Sequence, residues 1–409
     1  MPVTETRPYD AERDLQAVTR IWREIAWIDS SDGAAQALEA FMSCGHANVG
    51  LIDGEAECSV HWTPGTMHHL AEPVPLCAIT AVTTSRIGRK RGFASTLTAI
   101  ALAEGAAAGA GVAALGMFEQ GFYNRLGFAT GGYDHMYRLD PRALRVETPY
   151  RTPVRLSQDD WRDIHAAMLD RKKGHGAVTL DPPEITQADL GWTEDFFGLG
   201  YRDDGRLTHF VVGSAKGEHG PYKISMYGYQ TTGQLMELLR LIHELADQLA
   251  SVEIVEPREI QLQDLMVAPN WQQLRTAQSP HETQIRAWAW WQLRILDLVG
   301  CLAKVHLPGP DVVFNLRLTD PLAELPGAPW PGVGGDYTVT LGASSNAEAG
   351  HSAGLPTLRA GVGAFSRLVY GVRPAASLAL TDELDGPPEL LQCIDRTVLL
   401  PPPHTGLDF

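Results

Sequence analysis

The chain has 409 residues, of which 44% are hydrophobic and 20% are charged, a composition typical of globular rather than disordered proteins. At about 100–200 residues per domain, this length predicts two to four domains. The net charge of −16 argues against nucleic acid and anionic lipid as main partners, because an acidic surface repels both.

Cysteine usage and the lack of long apolar runs favour a cytoplasmic protein. The five cysteines are scattered and form no CxxC pair, which argues against a disulfide framework and against a thiolate zinc site. We expect no signal peptide, because the first residues lack a basic start followed by an apolar run. The longest apolar stretch, residues 99–118, is interrupted by Glu104 and several glycines, so we also expect no membrane span.

The first block of the chain predicts the element order α, β, β, β, α, β, α. Apolar residues recur at helical spacing over residues 10–27, with Asp10 as the N-cap. Two short strands, 47–53 and 56–62, flank the turn Asp53-Gly54. The remaining predicted elements are a strand at 74–84, a basic loop, a helix from Phe93 to about Ala108, a strand at 112–118 and a short helix at 121–128.

Two further blocks follow and complete an α/β chain. The second predicts helices at 157–171 and 231–250 around strands at 207–213 and 222–229, an order that echoes the first block. The third begins near Ala287 and predicts two strands and a strand running into a helix. Its tryptophan-rich stretch, residues 288–291, is typical of core or of a subunit interface. We therefore predict domains at 1–148, 149–286 and 287–409.

The segment VTTSRIGRKRGFAS, residues 82–95, is the strongest candidate for a ligand site. A strand ends, three cations precede Gly92, and a helix begins at once. A helix N-terminus has unpaired N–H groups and a partial positive charge, and glycine lets a pyrophosphate approach the backbone closely. The loop has neither the GKS/GKT of a Walker loop nor the GxGxxG of a dinucleotide loop. The alternative is a basic helix cap that only contacts solvent.

Two landmarks in sequence order resemble the GNAT superfamily of acetyltransferases. RKRGFA, residues 89–94, is similar to the R/Q-x-x-G-x-G/A pattern that holds the coenzyme A pyrophosphate. GFYNRLGF, residues 121–128, resembles the second landmark, F/Y-Y-x-x-x-G-F. The resemblance implies that acetyl-CoA is the cosubstrate and that no metal is needed.

The whole chain resembles one branch of that superfamily, the enhanced-intracellular-survival (Eis) family. The likeness rests on AALGMFEQGFYNRLG at 113–127, on three blocks of suitable length, and on the final Asp408-Phe409. It implies a GNAT domain, a second and degenerate GNAT domain, and a C-terminal domain resembling sterol carrier proteins. It also implies a homohexamer.

The Eis resemblance assigns roles to specific residues. Tyr123 would donate a proton to the departing coenzyme, and the α-carboxylate of Phe409 would accept one from the amine. The coenzyme would be lined by Val82, Thr83, Thr84, Arg89, Lys90, Arg91, Gly92, Phe93, Ala94, Ser95, Phe118 and Glu119. In the family the loop is often R-R-R-G, and Lys90 here gives a point charge without the bidentate fork of arginine. The alternative for Tyr123 is a core tyrosine packed under the cofactor.

The acceptor implied by the family is an amine on a polycation, such as an aminoglycoside or a polyamine. Trp27, Asp29, Asp32 and Asp408 are candidate substrate residues, because aromatic faces and carboxylates both bind ammonium groups. Asp29 and Asp32 could instead only cap the next helix. His68, His69 and His135 lack a third ligand at metal spacing, so we predict no metal site. Two alternatives stay open: acetylation of protein lysines or N-termini, and a non-catalytic protein that binds a lipid or another small molecule.

Overall fold

The computed structural model describes residues 4–269, 272 and 279–409. The first block forms the following elements: β1 Thr4–Pro8, α1 Ala11–Glu24, α2 Asp32–Met42, β2 His46–Ile52, β3 Glu55–His69, β4 Glu72–Thr84, α3 Phe93–Ala107, β5 Val112–Gly116, β6 Ala129–Thr130 and β7 Asp134–Leu139. A 3-10 turn, Tyr123–Leu126, lies between β5 and β6.

The second block contains β8 Val154–Arg155, α4 Trp161–Asp170, β9 Val178–Leu180, α5 Pro183–Gly191, β10 Phe196–Asp203, β11 Arg206–Ala215, β12 Tyr222–Gly228, α6 Thr232–Glu244 and β13 Val252–Val255. The last block contains β14 Gln284–Trp288, β15 Trp291–Ile295, α7 Leu298–Leu302, β16 Val312–Thr319, β17 Gly335–Leu341, β18 Asn346–Ala349, β19 Thr357–Gly361, α8 Val362–Val369, α9 Ala375–Thr381, β20 Leu384–Asp385 and α10 Pro388–Thr397.

These strands form three sheets. The first has the order β1-β2-β3-β4-β5-β15-β6, with β9 paired to β3. The second has the order β14-β7-β13-β12-β11-β10-β8, and the third β18-β17-β16-β19-β20. The architecture is therefore mixed α/β, as predicted.

Local signals in the sequence are confirmed where a side chain fixes an element boundary. The Asp10 side chain accepts hydrogen bonds from the first turn of α1. Ser157 and Asp160 form a capping box before α4, which begins only after a 3-10 turn. Asp53 and Gly54 both have positive φ, as a tight hairpin turn requires.

Three strands cross the predicted domain limits. β7, from the first block, pairs with β13 and β14 in the second sheet. β15, from the last block, lies between β5 and β6 in the first sheet, and all five of its residues are buried. β9, from the second block, pairs with β3. Sheet pairing joins strands far apart in the chain, so blocks read in chain order do not reveal it.

Buried contacts connect the blocks as well. Arg294 of β15 and Asp320 form an ion pair in which neither side chain is exposed. One apolar core continues from the first sheet to the third, with Trp291 fully buried within it. Among the described residues, no helix combines the length and the apolar character needed to cross a membrane.

Candidate active site

Strands β4 and β5 run together for only four residues and then separate. They pair in parallel from Leu76–Ile79 to Val112–Leu115, whereas β4 continues to Thr84. The register of β4 against β3 shifts at Thr80, which is an extra residue in β4. Val82 and Thr84 thus lie on a part of β4 that has no pairing with β5. A ligand with peptide-like groups could add to the sheet in this gap.

The predicted phosphate loop lies directly after this gap. Gly92 is the N-cap of α3 with φ +82°, and no side chain caps the helix. The N–H groups at the start of α3 are therefore available to an anion. Arg89, Lys90 and Arg91 are exposed and form no ion pair with any acidic residue that the structure describes. Two hydrogen bonds of Ser85 fix the start of the loop: its N–H donates to Glu57 O (2.9 Å), and its Oγ accepts from Gly88 N–H (3.0 Å).

The other predicted coenzyme residues differ in what their side chains can contact. The Phe93 ring is buried in the core, and the Thr83 hydroxyl contacts the Ser59 hydroxyl at 2.8 Å, so only the backbone of these two is available. Ala94 and Ser95 are half-buried in the first turn of α3. Glu119 is exposed, and Phe118 is 70% exposed beside Tyr123, with ring centroids 5.8 Å apart.

Tyr123 begins the 3-10 turn and belongs to the same apolar cluster as Ile79 of β4 and Leu115 of β5. It is 2% exposed, and its burial raises the pKa of the phenol, with the nearby Cys58 adding to the effect. Cys58 Sγ lies 3.2 Å from Thr84 Oγ1, which places the gap in β4 close to this phenol. A phenol that stays protonated at neutral pH can act as a proton donor.

The C-terminal tail, residues 400–409, runs beside β9 between the first and second sheets. Thr405 O accepts from Val178 N–H (2.9 Å), and His404 N–H donates to His175 O (3.1 Å). The tail passes so close that a Cβ at Gly176 would lie 2.5 Å from His404 N. Leu407 packs against two apolar clusters, one that includes residues of the first sheet and one that includes residues of the second.

The last residue lies at the end of β5. A Cβ built on Gly116 would lie 3.0 Å from a carboxylate oxygen of Phe409. The Phe409 ring packs edge-on against Trp290, with centroids 5.5 Å apart. Trp290 O in turn accepts from Met117 N–H (2.7 Å), so Trp290 contacts both the residue that follows β5 and the C-terminal residue.

A cavity of about 240 Å³ opens next to this chain end, between β12, β13 and the tail. Its polar and aromatic lining consists of Asp134, Lys223, Ser225, Tyr227, Trp288, Trp290, His404, Thr405 and Asp408. The surroundings of Asp408 raise its pKa through loss of hydration, and Asp134 adds to this effect. Burial, with a smaller effect of Asp408, raises the pKa of Asp189 on α5 to about 7.

The remaining predicted substrate residues lie around the start of α2. Trp27 is 50% exposed and meets Trp22 edge-on, with centroids 5.1 Å apart. Asp29 accepts from the backbone N–H (2.8 Å) and the hydroxyl (2.6 Å) of Ser31, which caps α2. Asp32 is exposed in the first turn of that helix. Asp29 thus supports a helix start, the alternative that the sequence left open.

Sequence reasoning missed Asp134 and Trp290. Trp290 Nε1 donates to Asp134 Oδ2 at 2.6 Å, although 156 positions separate the two residues. Trp290 belongs to the tryptophan-rich stretch that was interpreted as core or interface, and Asp134 lies in no motif. The two meet because β7 pairs with β14, which ends two residues before Trp290. No group of three or more described His, Cys, Asp or Glu residues could hold a metal ion.

Comparisons with known proteins agree with this geometry. Residues 5–131 match the acetyltransferase (GNAT) domain family. A search of curated protein sequences found no significant match.

Three solved structures share the fold over the full chain. A probable N-acyltransferase from Enterococcus faecalis has a TM-score of 0.81 at 18% identity, covering 100% of both chains. A GCN5-related N-acetyltransferase from Kribbella flavida has a TM-score of 0.76 at 18% identity, covering 100% of this chain and 99% of the other. Eis1 from Mycobacterium abscessus has a TM-score of 0.74 at 17% identity, covering 100% of both chains. Residues 5–131 therefore form a GNAT acetyltransferase domain, and the protein is an acyltransferase.

Proposed function

We propose that the protein transfers an acetyl group from acetyl-CoA to an amine of a polycationic small molecule, such as an aminoglycoside or a polyamine. The observation that carries this proposal is the position of the Phe409 carboxylate against Gly116, at the end of β5 and beside an acidic, tryptophan-lined cavity. The proposal requires that the chain terminate at Phe409. The alternative of a non-catalytic ligand-binding protein is not retained, because the GNAT domain indicates an enzyme.

The coenzyme would bind along β4 and the start of α3. The exposed side chains of Arg89, Lys90 and Arg91 and the uncapped helix would hold its pyrophosphate. Its pantetheine arm would pair with the backbone of Val82 to Thr84, where β5 has separated from β4. When bound, acetyl-CoA supplies an activated thioester.

Two groups of the protein would then move protons. The Phe409 carboxylate accepts a proton from the ammonium, which frees the nitrogen lone pair to form the new C–N bond. Tyr123 donates its phenolic proton to the sulfur as the C–S bond breaks. As the amide forms, the nitrogen loses a second proton to solvent, and a proton from solvent restores the Tyr123 phenol. The products are an amide, free coenzyme A and one proton, which Phe409 returns to solvent.

A one-residue extension tests the role of the chain end. Appending one glycine after Phe409 moves the carboxylate away from Gly116, so we expect kcat for acetyl transfer to fall about 100-fold or more, with the Kd for acetyl-CoA unchanged. The control inserts the same glycine between Asp204 and Gly205, in an exposed turn. Unchanged turnover in the extended protein would exclude the Phe409 carboxylate as the base.

The acceptor class needs its own assay. Thiol release from acetyl-CoA would be measured with aminoglycosides, polyamines and lysine-containing peptides. We expect turnover with the first two groups. Turnover with peptides alone would replace the small-molecule acceptor by a protein amine.

Three family-level expectations also stay proposals. We infer a homohexamer, a degenerate GNAT fold around the second sheet, and a sterol-carrier-like fold around the third. Light scattering on the purified protein tests the assembly, and native mass spectrometry tests whether the C-terminal unit retains a ligand. The expected location is the cytoplasm.

A further inference from the structure

Asp134 is a buried carboxylate with one oxygen unsatisfied. The residue is 4% exposed and lines the cavity beside the chain end. Its Oδ2 accepts from Trp290 Nε1, whereas its Oδ1 has no hydrogen-bond partner among the described residues. Leaving such an oxygen unpaired costs free energy, so a cation in the cavity would stabilise it.

One cationic candidate beside Asp134 is His404. Its Nε2 lies 3.4 Å from Asp134 Oδ1, but neither atom makes a hydrogen bond. Burial lowers the pKa of His404, and the neighbouring Asp134 opposes this shift. Because the two side chains form no hydrogen bond, Asp134 Oδ1 stays available to a cation of the ligand.

The rest of the cavity also suits an ammonium group. Trp288 lies opposite Asp134 in the pairing of β14 with β7, and Trp290 flanks them. Aromatic faces attract cations, and the attraction grows when the cation is partly desolvated. Asp408 adds a second carboxylate, and Lys223 is the one lysine or arginine among the described residues of the lining.

One indole joins this subsite to the chain end. Trp290 donates to Asp134 through its Nε1 and packs its ring against Phe409. Asp134 and the C-terminal residue Phe409 thus both contact the same side chain. An acceptor with two amines could place one at each.

We propose that Asp134 binds a second ammonium group of the acceptor, so that the enzyme selects diamines and longer polyamines over monoamines. This inference rests on the proposed amine acetylation. It assigns substrate selection to a residue of the second sheet, outside the GNAT domain.

The test compares 1,4-diaminobutane with n-butylamine. For the unmodified enzyme we expect kcat/KM to favour the diamine about tenfold or more, as an interaction with a buried charge allows. In Asp134→Asn this ratio should fall to near one. Asparagine keeps an acceptor for Trp290, and the melting temperature checks that the fold is retained. Glu348→Gln, an exposed site on the third sheet, removes the same charge and should keep the ratio.

Calorimetry without acetyl-CoA separates the two proposals. The unmodified protein should bind 1,4-diaminobutane more tightly than n-butylamine, and Asp134→Asn should lose the difference. Equal binding of both amines to the unmodified protein, or an unchanged ratio in Asp134→Asn, would overturn the role of Asp134. Diamine binding without acetylation of any amine would instead leave the subsite intact and overturn the proposed function.

Discussion

Tyr123 combines deep burial with a hydroxyl that makes no hydrogen bond to a described residue. Phe118, Phe122 and Phe128 surround its ring at centroid distances of 4.9–6.2 Å. These contacts fix the ring without using the hydroxyl. The hydroxyl is therefore free to serve a ligand.

Tyr123→Phe separates chemistry from packing. Because the aromatic contacts remain, we expect stability to change by less than about 0.5 kcal/mol, while kcat falls about 100-fold through loss of the proton donor. Steady-state kinetics and urea unfolding measure the two effects. Tyr370→Phe is the matched control, since it removes another buried hydroxyl without a hydrogen bond, and it should not change kcat. Equal kcat in both variants would leave Tyr123 as packing alone.

The extent to which the site could be predicted differs from residue to residue. Arg89 to Gly92 and Tyr123 could be proposed from the sequence because each lies in a short pattern with a physical role at fixed spacing. Asp134 could not, because its importance depends on Trp290 and His404, which are more than 150 positions away. Asp29 illustrates a third case, in which the local sequence allowed both binding of the substrate and support of a helix start.

Helix α3 is flanked at both ends by a glycine with positive φ. Gly92 before it and Gly109 after it have φ of +82° and +88°, and a Cβ at either would meet no atom within 4 Å. Only Gly92 lies in the proposed phosphate loop. The pair therefore offers a matched test.

We expect Gly92→Ala and Gly109→Ala each to cost about 1 kcal/mol of stability, because alanine is strained at positive φ. Only Gly92→Ala should raise the KM for acetyl-CoA, since the added methyl group lies where a pyrophosphate would approach. Urea unfolding and initial-rate kinetics measure the two effects. Similar KM values in the two variants would contradict the placement of the coenzyme at α3.

Strand β15 supports the 3-10 turn that carries Tyr123. Gln292 Nε2 donates to Asn124 Oδ1 (3.3 Å), and Arg294 Nη1 donates to Leu126 O. Arg294 Nη2 also donates to Asp320 Oδ2 at 2.6 Å, and Asp320 accepts from Val333 N–H. The third block thus holds the turn through a buried ion pair.

Breaking this ion pair should destabilise the protein strongly. Arg294→Met leaves Asp320 buried without its cation, so we expect a loss of about 3–5 kcal/mol. Adding Asp320→Asn removes the unpaired charge and keeps an acceptor, so the double variant should be more stable than Arg294→Met alone. Urea unfolding of both variants decides this, and a double variant no more stable than Arg294→Met would argue against a buried pair.

Across the whole molecule, three buried histidines connect stability to pH. Burial lowers the pKa of His61, His69 and His175 to about 4. His175 accepts from Leu70 N–H at Nδ1 (3.1 Å) and contacts Tyr370 O through Nε2 (3.0 Å), which fixes a neutral tautomer. Protonation at Nδ1 would place its proton against that N–H group.

The direction of the pH effect follows from these pKa values. Each histidine has an unfolded pKa of about 6.5, so its contribution is complete above that value and is lost as the pH falls toward 4. We expect the free energy of unfolding to drop by several kcal/mol between pH 7 and pH 4. His175→Gln should weaken this dependence, and His351→Gln, at an exposed site, should not. Urea midpoints across this range test the effect, and a flat profile would contradict it.

As with the site, only the locally determined parts of the overall fold could be predicted from the sequence. Helices with capping residues and strands beside tight turns follow from local chemistry, as α1 and the hairpin of β2 and β3 illustrate. The insertion of β15 into the first sheet depends on contacts with β5 and β6 that form only after folding. All five residues of β15 are buried, and this pattern would suit a central strand of any of the three sheets.

The position of β15 has a consequence for synthesis. A ribosome releases the GNAT domain, residues 5–131, long before it makes residues 291–295. Until then β5 has an open edge and β6 lacks its partner, and open edges invite pairing with other chains. The nascent chain must therefore hold an incomplete sheet while residues 132–290, about two-fifths of the protein, are translated. The domain excised at 131 would keep that open edge permanently.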